Sequence, residues 1–329
     1  MKNQAVRALQ LAVNARRCFA MNNCLIDCVI VGGGAAGLTA ALYLARYRRT
    51  TSVFDSGESR ARLIPVARNV PGFPSGISGE AWLAKLREQL TPYKVAPEHA
   101  KVEAIEAVSD GFRIDYRPTR GSEEEAVRSV HARRVLLAAG IRDRLPLVPD
   151  ADELTRSGLF RFCPICDGYE TEGKRIAMLG PAKCALSHAI FMRTFSRDVS
   201  VVASDLDALS GAEVDSAAAS GVSLISLWRL EAPRGADRAV QIISPGGSVH
   251  VFDSVYPVMG CHPRTDLLGL QVERDEDGMI RTDKHQRTSI RHLYAAGDIV
   301  NTLNQISVAS GEAAIAATAI HRSLPHNAR

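Results

Sequence analysis

No stretch of this sequence approaches the roughly 20 consecutive apolar residues that a membrane-spanning helix requires, so it reads as a soluble protein with no membrane partner. It also lacks basic blocks. Its 40 Lys and Arg against 36 Asp and Glu leave a formal charge of +4 spread along the chain, which argues against nucleic acid as a partner. Short-period repeats and low-complexity tracts are absent. Cysteine is scarce: Cys18, Cys24, Cys28, Cys163, Cys166, Cys184 and Cys261 are an odd number with a single close Cys-x-x-Cys spacing. That excludes a disulfide scaffold and suits a reducing compartment. Cys28, Cys184 and Cys261 are expected to be small buried apolar residues. No second Cys-x-x-Cys or histidine pair exists to complete four ligands, so no metal site is expected. The opening MKNQAVRALQLAVNARRCFAMNN has no uninterrupted apolar core and no small-residue cleavage site of the secretory kind. Cytoplasmic residence is the expectation. Residues 1–24 read as an N-terminal extension, with a short capping or dimer-contact helix as the alternative.

What the chain does have is core. Its 329 residues, 46% of them apolar, suffice for two domains of ordinary size. LIDCVIV is a short apolar, β-branched run of the buried-strand kind. GGGAAG follows at once, then LTAALYLARYRR with apolar residues at helical spacing and a basic last turn, then a second strand, TTSVFD. Strand, Gly-rich turn, helix and strand make the unit of a doubly wound sheet. RIAMLG, PAKCALSHAIFMRTF and DVSVVAS repeat it in mid-chain. Between the two units, RRVLLAAG is an apolar strand and IRDRLPLVPD a polar, Pro-containing crossover. Near the end, HLYAAGDIV reads as a strand and ISVASGEAAIAATAIHRSL as a helix of small residues. Elements this late can return to complete the first domain. The expected fold class is therefore α/β, with two dinucleotide-binding, Rossmann-like three-layer domains, the second inserted into the first. The expected boundaries are 25–143 with 268–329 for the first domain and 144–267 for the second.

Gly32, Gly34 and Gly37 fit G-x-G-x-x-G between a strand and a helix. Gly32 permits the tight turn, Gly34 lets a pyrophosphate approach the backbone, and Gly37 allows helix and strand to pack closely. The helix N-terminus then faces the phosphates with its N–H groups. Asp55, about 20 residues on, is placed to accept a ribose hydroxyl. This motif alone does not separate FAD from a nicotinamide cofactor. The C-terminal AAGDIVNTLNQISVASGEAAIAA adds a second contact region, with Gly297 and Asp298, of the kind a long, extended ligand such as FAD needs.

CPICDG has the spacing that lets Cys163 and Cys166 close a small disulfide ring at a helix start or tight turn. There the helix N-terminus favours a thiolate, the species that thiol–disulfide exchange requires. Asp167 follows directly and can lend and recover the proton if burial raises its pKa. The plainer readings are half of a zinc site or a structural disulfide.

VIVGGGAAGLTAALYLARY, NVPGFPSGISG, LLAAGIRDRLP, CPICDGYE and LYAAGDIVNTLNQISVASGEAAIAA, in this order, resemble the low-molecular-weight thioredoxin reductases over nearly all of residues 25–322. The resemblance implies a homodimer in which a split FAD domain surrounds an inserted pyridine-nucleotide domain carrying the dithiol. By motif position it implies FAD contacts at Gly32, Gly34, Ala35, Ala36, Gly37, Asp55, Asn69, Gly140, Gly297, Asp298, Gln305 and Ile306. Gln305 and Ile306 would offer N–H groups near the flavin ring at a helix start. It assigns Cys166 to the flavin side, Cys163 to exchange with the substrate disulfide, and thioredoxin as the partner.

The chain departs from this family at its second glycine motif. GPAKCA stands there, and Pro181 has no N–H to offer a phosphate, Ala182 replaces the glycine of close approach, and Lys183 adds bulk or itself binds phosphate. Where the family has consecutive arginines for the ribose phosphate of NADPH, this chain has ASDLDA, and Asp205 repels that phosphate. Three routes for electrons stay open: weak NADPH binding, or NADH with Asp205 on its ribose; ferredoxin or another flavin donor; or a dithiol oxidase passing electrons to oxygen. The rival from another class is a flavin redox sensor without turnover. His188 reads as an ordinary, partly exposed residue.

Overall fold

The computed structural model describes residues 25–119, 126–148, 151–231, 239–265 and 269–327. The extension expected at residues 1–24, with Cys18 and Cys24, lies outside them. In chain order the strands are β1 (Ile26–Val31), β2 (Thr51–Asp55), β3 (Glu98–Val108), β4 (Gly111–Pro118), β5 (Arg128–Leu137), β6 (Ile141–Asp143), β7 (Arg175–Leu179), β8 (Asp198–Ala203), β9 (Ser223–Ser226), β10 (Arg229–Glu231), β11 (Val240–Ile243), β12 (Val249–Phe252), β13 (Ser254–Pro257), β14 (Cys261–Pro263) and β15 (Leu293–Ala295). The described helices are α1 (Ala35–Arg46), α2 (Gly79–Leu90), α3 (Ala151–Arg156), α4 (Pro164–Asp167), α5 (Ala182–Met192), α6 (Gly211–Ala219) and α7 (Ile306–Ser323).

The chain divides into two compact units. The first takes the described chain up to Arg62, then Glu80–Ile141, then the chain from Pro263; the second takes Leu63–Gly79 and Arg142–His262. The second unit's main segment thus begins and ends within a few residues of 144 and 267. Leu63–Gly79, which the sequence order had left in the first domain, groups with the second unit. Its own chemistry explains this: Ala67 bridges Ile77 and Arg68 pairs with Glu170 at 3.4 Å.

In the first unit, β1 lies between β2 and β5, parallel to both, and β15 lies parallel on β5. The apolar run in β1 suits this place because Cys28 to Val31 are buried against both neighbours. β3 and β4, which carry no strand assignment in the sequence reading, form an antiparallel meander with β5, the strand expected at RRVLLAAG. Its inward residues Phe112, Ile114 and Tyr116 alternate with outward ones, and Tyr116 stacks on Phe54 at 4.2 Å between ring centroids. The small residues of α7 have a purpose, since Ala309, Ala313, Ala316 and Ala317 form its buried face and let it lie close along α1. Residues 321–325 are tied down by two buried arginines. Arg49 donates to His321 Nδ1 at 3.0 Å and to the Pro325 carbonyl at 2.9 Å, and Arg134 donates to Ser323 Oγ at 2.8 Å.

The second unit carries a parallel sheet in the order β13, β7, β8, β9 and a separate antiparallel sheet of β10, β11 and β12. IRDRLPLVPD is not wholly a crossover loop, because its first residues form β6, which pairs with β14. Helix α5 buries Ala182, Ala185, Leu186, Ala189 and Met192. With that face turned inward, Cys184 is left exposed, contrary to the expectation of a buried thiol. Cys261 is half-buried, and Cys28 is buried as expected.

One ion pair in this unit makes its stability pH-dependent. Arg175 donates to Asp253 through its backbone N–H at 2.9 Å and its guanidinium at 3.1 and 2.6 Å, and these bonds hold the Asp253 carboxyl below the usual aspartate range against the opposing effect of burial. A carboxyl lowered by folding stabilises the fold above its unfolded pKa, and that stability is lost as pH falls through the folded value. Thermal melts of the native protein and Asp253→Asn should therefore differ near neutrality and converge on acidification.

Candidate active site

The C-terminal ends of β1, β2, β5 and β15 meet at one edge of the first sheet. Gly32 N–H donates to the Phe54 carbonyl at 2.8 Å, Ala138 N–H to Val31 at 2.8 Å, and Ala296 N–H to Leu137 at 3.0 Å. Gly32 sits at φ 113°, and a Cβ there would lie 2.2 Å from the Ala138 carbonyl oxygen; one on Gly37 would lie 1.8 Å from the Gly32 carbonyl oxygen. No other residue fits either place. Gly34 is the N-cap of α1 and makes no side-chain cap, and no acid stands in the first turn beside Ala35 and Ala36. Those N–H groups have no intrahelical acceptor, so they suit an anion.

Gly33, which the sequence reading did not name, is the middle glycine of the same turn and is as tightly placed as Gly32. A Cβ on Gly33 would meet Asp55 Cγ at 2.3 Å, because Asp55 folds beneath the turn and is buried. Its carboxylate accepts from Gly57 N–H at 3.0 Å and from Arg87 at 3.3 Å. The expected ribose acceptor thus already carries two donors of the chain's own. Arg87 comes from α2, and no spacing rule would have found it.

At the facing contact, Gly297 takes φ 84°, and a Cβ would lie 2.9 Å from Ala36 Cβ. Its N–H donates to Glu312 Oε2 at 2.8 Å, and burial raises the Glu312 carboxyl. Asp298 lies 3.9 Å from Arg60. Gln305 is the N-cap of α7, again without a side-chain cap, and Ile306 begins the helix. Beside it, the buried Asn304 Oδ1 has no protein partner. The Gly140 carbonyl accepts from Arg264 N–H at 3.0 Å. Asn69, another of the expected FAD contacts, is an exposed residue of the segment grouped with the second unit. Two uncapped helix starts at the C-terminal edge of a parallel sheet, a turn with no room for Cβ atoms, and an orphaned buried oxygen fit an extended dinucleotide such as FAD.

In the second unit, Cys163 and Cys166 are joined as a disulfide with their Cα atoms 5.2 Å apart. Pro164 at the first position starts the short helix α4, Cys163 is its N-cap, and Cys166 N–H points at Cys163 Sγ at 3.2 Å. That N–H favours a thiolate on Cys163 once the bond opens. Asp167 closes α4. Burial pushes its carboxyl above the usual aspartate range, while Arg161 and Tyr256 oppose the shift.

The second glycine turn of the chain is differently furnished. Gly180 still packs tightly, since a Cβ would lie 2.7 Å from the Val258 carbonyl oxygen, but Pro181 is the N-cap of α5. Ala182 N–H donates to Asp205 Oδ1 at 3.0 Å. A carboxylate of the chain itself thus stands at the helix start where a phosphate would be expected. Lys183 is exposed and His188 partly exposed. Among the described residues, no cluster suited to a metal ion is found.

The family model described as pyridine nucleotide-disulphide oxidoreductase matches residues 26–313. The thioredoxin reductase of Peptoclostridium litorale is 26% identical, over 88% of this chain and 94% of that protein. The bifunctional thioredoxin reductase/thioredoxin of Mycobacterium leprae (strain TN) is 28% identical, over 92% of this chain and 66% of that protein. The crystal structure of thioredoxin reductase from Streptococcus pyogenes MGAS5005 superposes with a TM-score of 0.80 at 29% identity, covering 91% of this chain and 98% of that one. With a glycine-lined dinucleotide cradle in one unit and a Cys-x-x-Cys disulfide in the other, the chain belongs to the pyridine nucleotide-disulphide oxidoreductase family.

Proposed function

We propose that this chain is an FAD-dependent thiol–disulfide oxidoreductase that passes two electrons between flavin and the disulfide of a thioredoxin-like protein through Cys163 and Cys166. The observation that carries this reading is the Cys163–Cys166 disulfide with its neighbouring acid, in a chain that also has a glycine turn fitted to a dinucleotide. The names of the relatives support thioredoxin as the partner type. FAD, when bound, supplies two-electron exchange with the dithiol. The N–H groups of Ala35, Ala36 and Gly37 would hold its pyrophosphate, with Gly32 and Gly34 keeping the turn close. Asp298 and Gly297 would meet the ribityl portion, and Gln305 and Ile306 the flavin end. Cys166 exchanges electrons with the flavin in this scheme, Cys163 attacks the partner, and Asp167 holds and returns the proton. A homodimer in the cytoplasm completes the reading; no helix among the described residues is long and apolar enough to cross a membrane.

Asp205 at the start of α5 favours a donor other than NADPH, because its charge opposes a second phosphate at short range. NADH with Asp205 on its ribose, reduced ferredoxin, or a dithiol in an oxidase reaction with oxygen each satisfies that constraint. Anaerobic bleaching of the flavin absorbance decides among them. NADPH should bleach it more slowly than at least one of NADH, reduced ferredoxin and a dithiol. Rapid bleaching by NADPH would overturn the donor assignment, and failure of every donor would replace the enzyme by a redox sensor.

A further inference from the structure

Two side chains outside the Cys-x-x-Cys segment converge on Asp167. Oδ2 accepts from the Arg161 guanidinium at 2.9 Å, and Oδ1 accepts from the Tyr256 hydroxyl at 2.7 Å. Both donors are fixed in turn. Arg161 Nε donates to the Gly158 carbonyl at 3.0 Å, its backbone N–H donates to Val255 at 3.0 Å, and Tyr256 is fully buried in β13. Cys-x-x-Cys chemistry by itself requires neither an arginine two residues before the pair nor a tyrosine from a distant strand. A carboxylate gripped at both oxygens has lost the free rotation of a surface aspartate, and its charged form is favoured by both bonds.

We propose that Arg161 and Tyr256 are positioning residues that hold Asp167 as a carboxylate while the dithiol is oxidised and restore that state after each proton delivery. The proposal rests on the thiol–disulfide function above. In the reduced protein Cys163 is a thiolate, Cys166 a thiol and Asp167 protonated. Cys163 Sγ bonds to one sulfur of the partner disulfide, the partner's S–S bond breaks, and the other partner sulfur leaves with the proton of Asp167. Asp167 then takes the proton of Cys166, whose thiolate attacks Cys163 Sγ. The intramolecular disulfide closes, the mixed disulfide breaks, and the second partner sulfur takes that proton from Asp167. Two electrons and two protons reach the partner. Asp167 ends as the carboxylate that Arg161 and Tyr256 grip in the disulfide form.

The groups that act on Asp167 come from several elements. Arg161 precedes α4, Tyr256 lies on β13, and Glu170 follows α4 and is paired with Arg68 at 3.4 Å. Burial and Glu170 favour the protonated carboxyl, whereas Arg161 and Tyr256 favour the charged one. Removing either donor therefore raises its proton affinity.

The test uses the full chain under argon, its dithiol reduced by a phosphine that is then removed, with Cys163→Ser as the blank for the other thiols. Hydroxyethyl disulfide releases an alkyl thiolate that needs a proton, and dithiobis(nitrobenzoate) releases an aromatic one that leaves unaided. With the alkyl probe the rate should rise and then fall with pH, the alkaline limb reporting loss of the Asp167 proton. Arg161→Gln should move that limb up by about one pH unit, and Tyr256→Phe should move it the same way. Tyr256→Phe keeps its ring in the core and so guards against a folding failure in the arginine variant. Asp167→Asn should remove the limb and, with it, any further effect of Arg161→Gln. A limb that stays in place in both donor variants, or an effect of Arg161→Gln that survives in Asp167→Asn, overturns the proposal. Probe reduction that does not depend on Cys163 overturns the underlying function instead.

Discussion

Cys166→Ser is expected to lower disulfide turnover by about a thousandfold or more while FAD stays bound. A serine hydroxyl at this position neither closes a disulfide with Cys163 nor resolves a mixed one, so a covalent complex with the partner accumulates. Cofactor retention follows from where the parts lie. Cys166 sits in the short helix of the second unit, whereas the turn from Gly32 to Gly37 and the contact at Gly297 belong to the first. Steady-state reduction of a protein disulfide, read beside the flavin spectrum after gel filtration, measures both. Turnover at the native rate would remove the dithiol from the scheme altogether.

Gly37→Ala is expected to be the most damaging single methyl group in the first unit. Its Cβ would lie 1.8 Å from the Gly32 carbonyl oxygen and 3.3 Å from Ile30 Cγ2, so α1 must move off β1. Overpacking of this severity costs about 3 kcal/mol or more, and the displaced helix start carries the phosphate-facing N–H groups with it. Gly211→Ala is the control, because nothing lies within 4 Å of its Cβ and it opens α6. That variant should stay within about 0.5 kcal/mol of the native protein. Chemical denaturation and flavin content of the purified variants read the two effects, and a Gly37→Ala protein with native stability and a full complement of flavin would contradict the packing argument.

The parts of the molecule that follow from local rules were legible in the sequence. A β-branched run, glycines at fixed offsets and an apolar helix stripe define β1, α1 and β2 without knowledge of anything distant. The same holds for β7, α5 and β8, and for the Cys-x-x-Cys turn. What sequence reasoning missed depends on tertiary proximity. Arg87 reaches Asp55 from another helix, Glu312 reaches Gly297 N–H from α7, and Tyr256 reaches Asp167 from β13. No periodicity links such pairs. Two misses did leave a signal. FRIDYRP alternates as an exposed-and-buried strand should, and the inward spacing of Ala182, Ala185 and Ala189 already turns Cys184 outward. The segment holding Asn69 parted from the first unit through its own bridge and its pairing with Glu170, which chain order alone does not reveal.

The split architecture of the first unit bears on the order in which the chain acquires structure as it is made. The parallel sheet of the second unit is drawn from strands that end at Pro257, so its material is complete while the last part of the chain is still to be synthesised. The first unit must wait. Until Leu293–Ala295 emerges, β5 has β1 and β4 but lacks its third partner at Val135–Leu137, and until α7 follows, Arg49 and Arg134 lack the acceptors that residues 321–325 supply. Domains generally fold as units during synthesis. The inserted unit therefore closes before the one whose segments flank it in sequence, and the glycine turn of the first unit meets its facing contact only after Gly297 and α7 have been made.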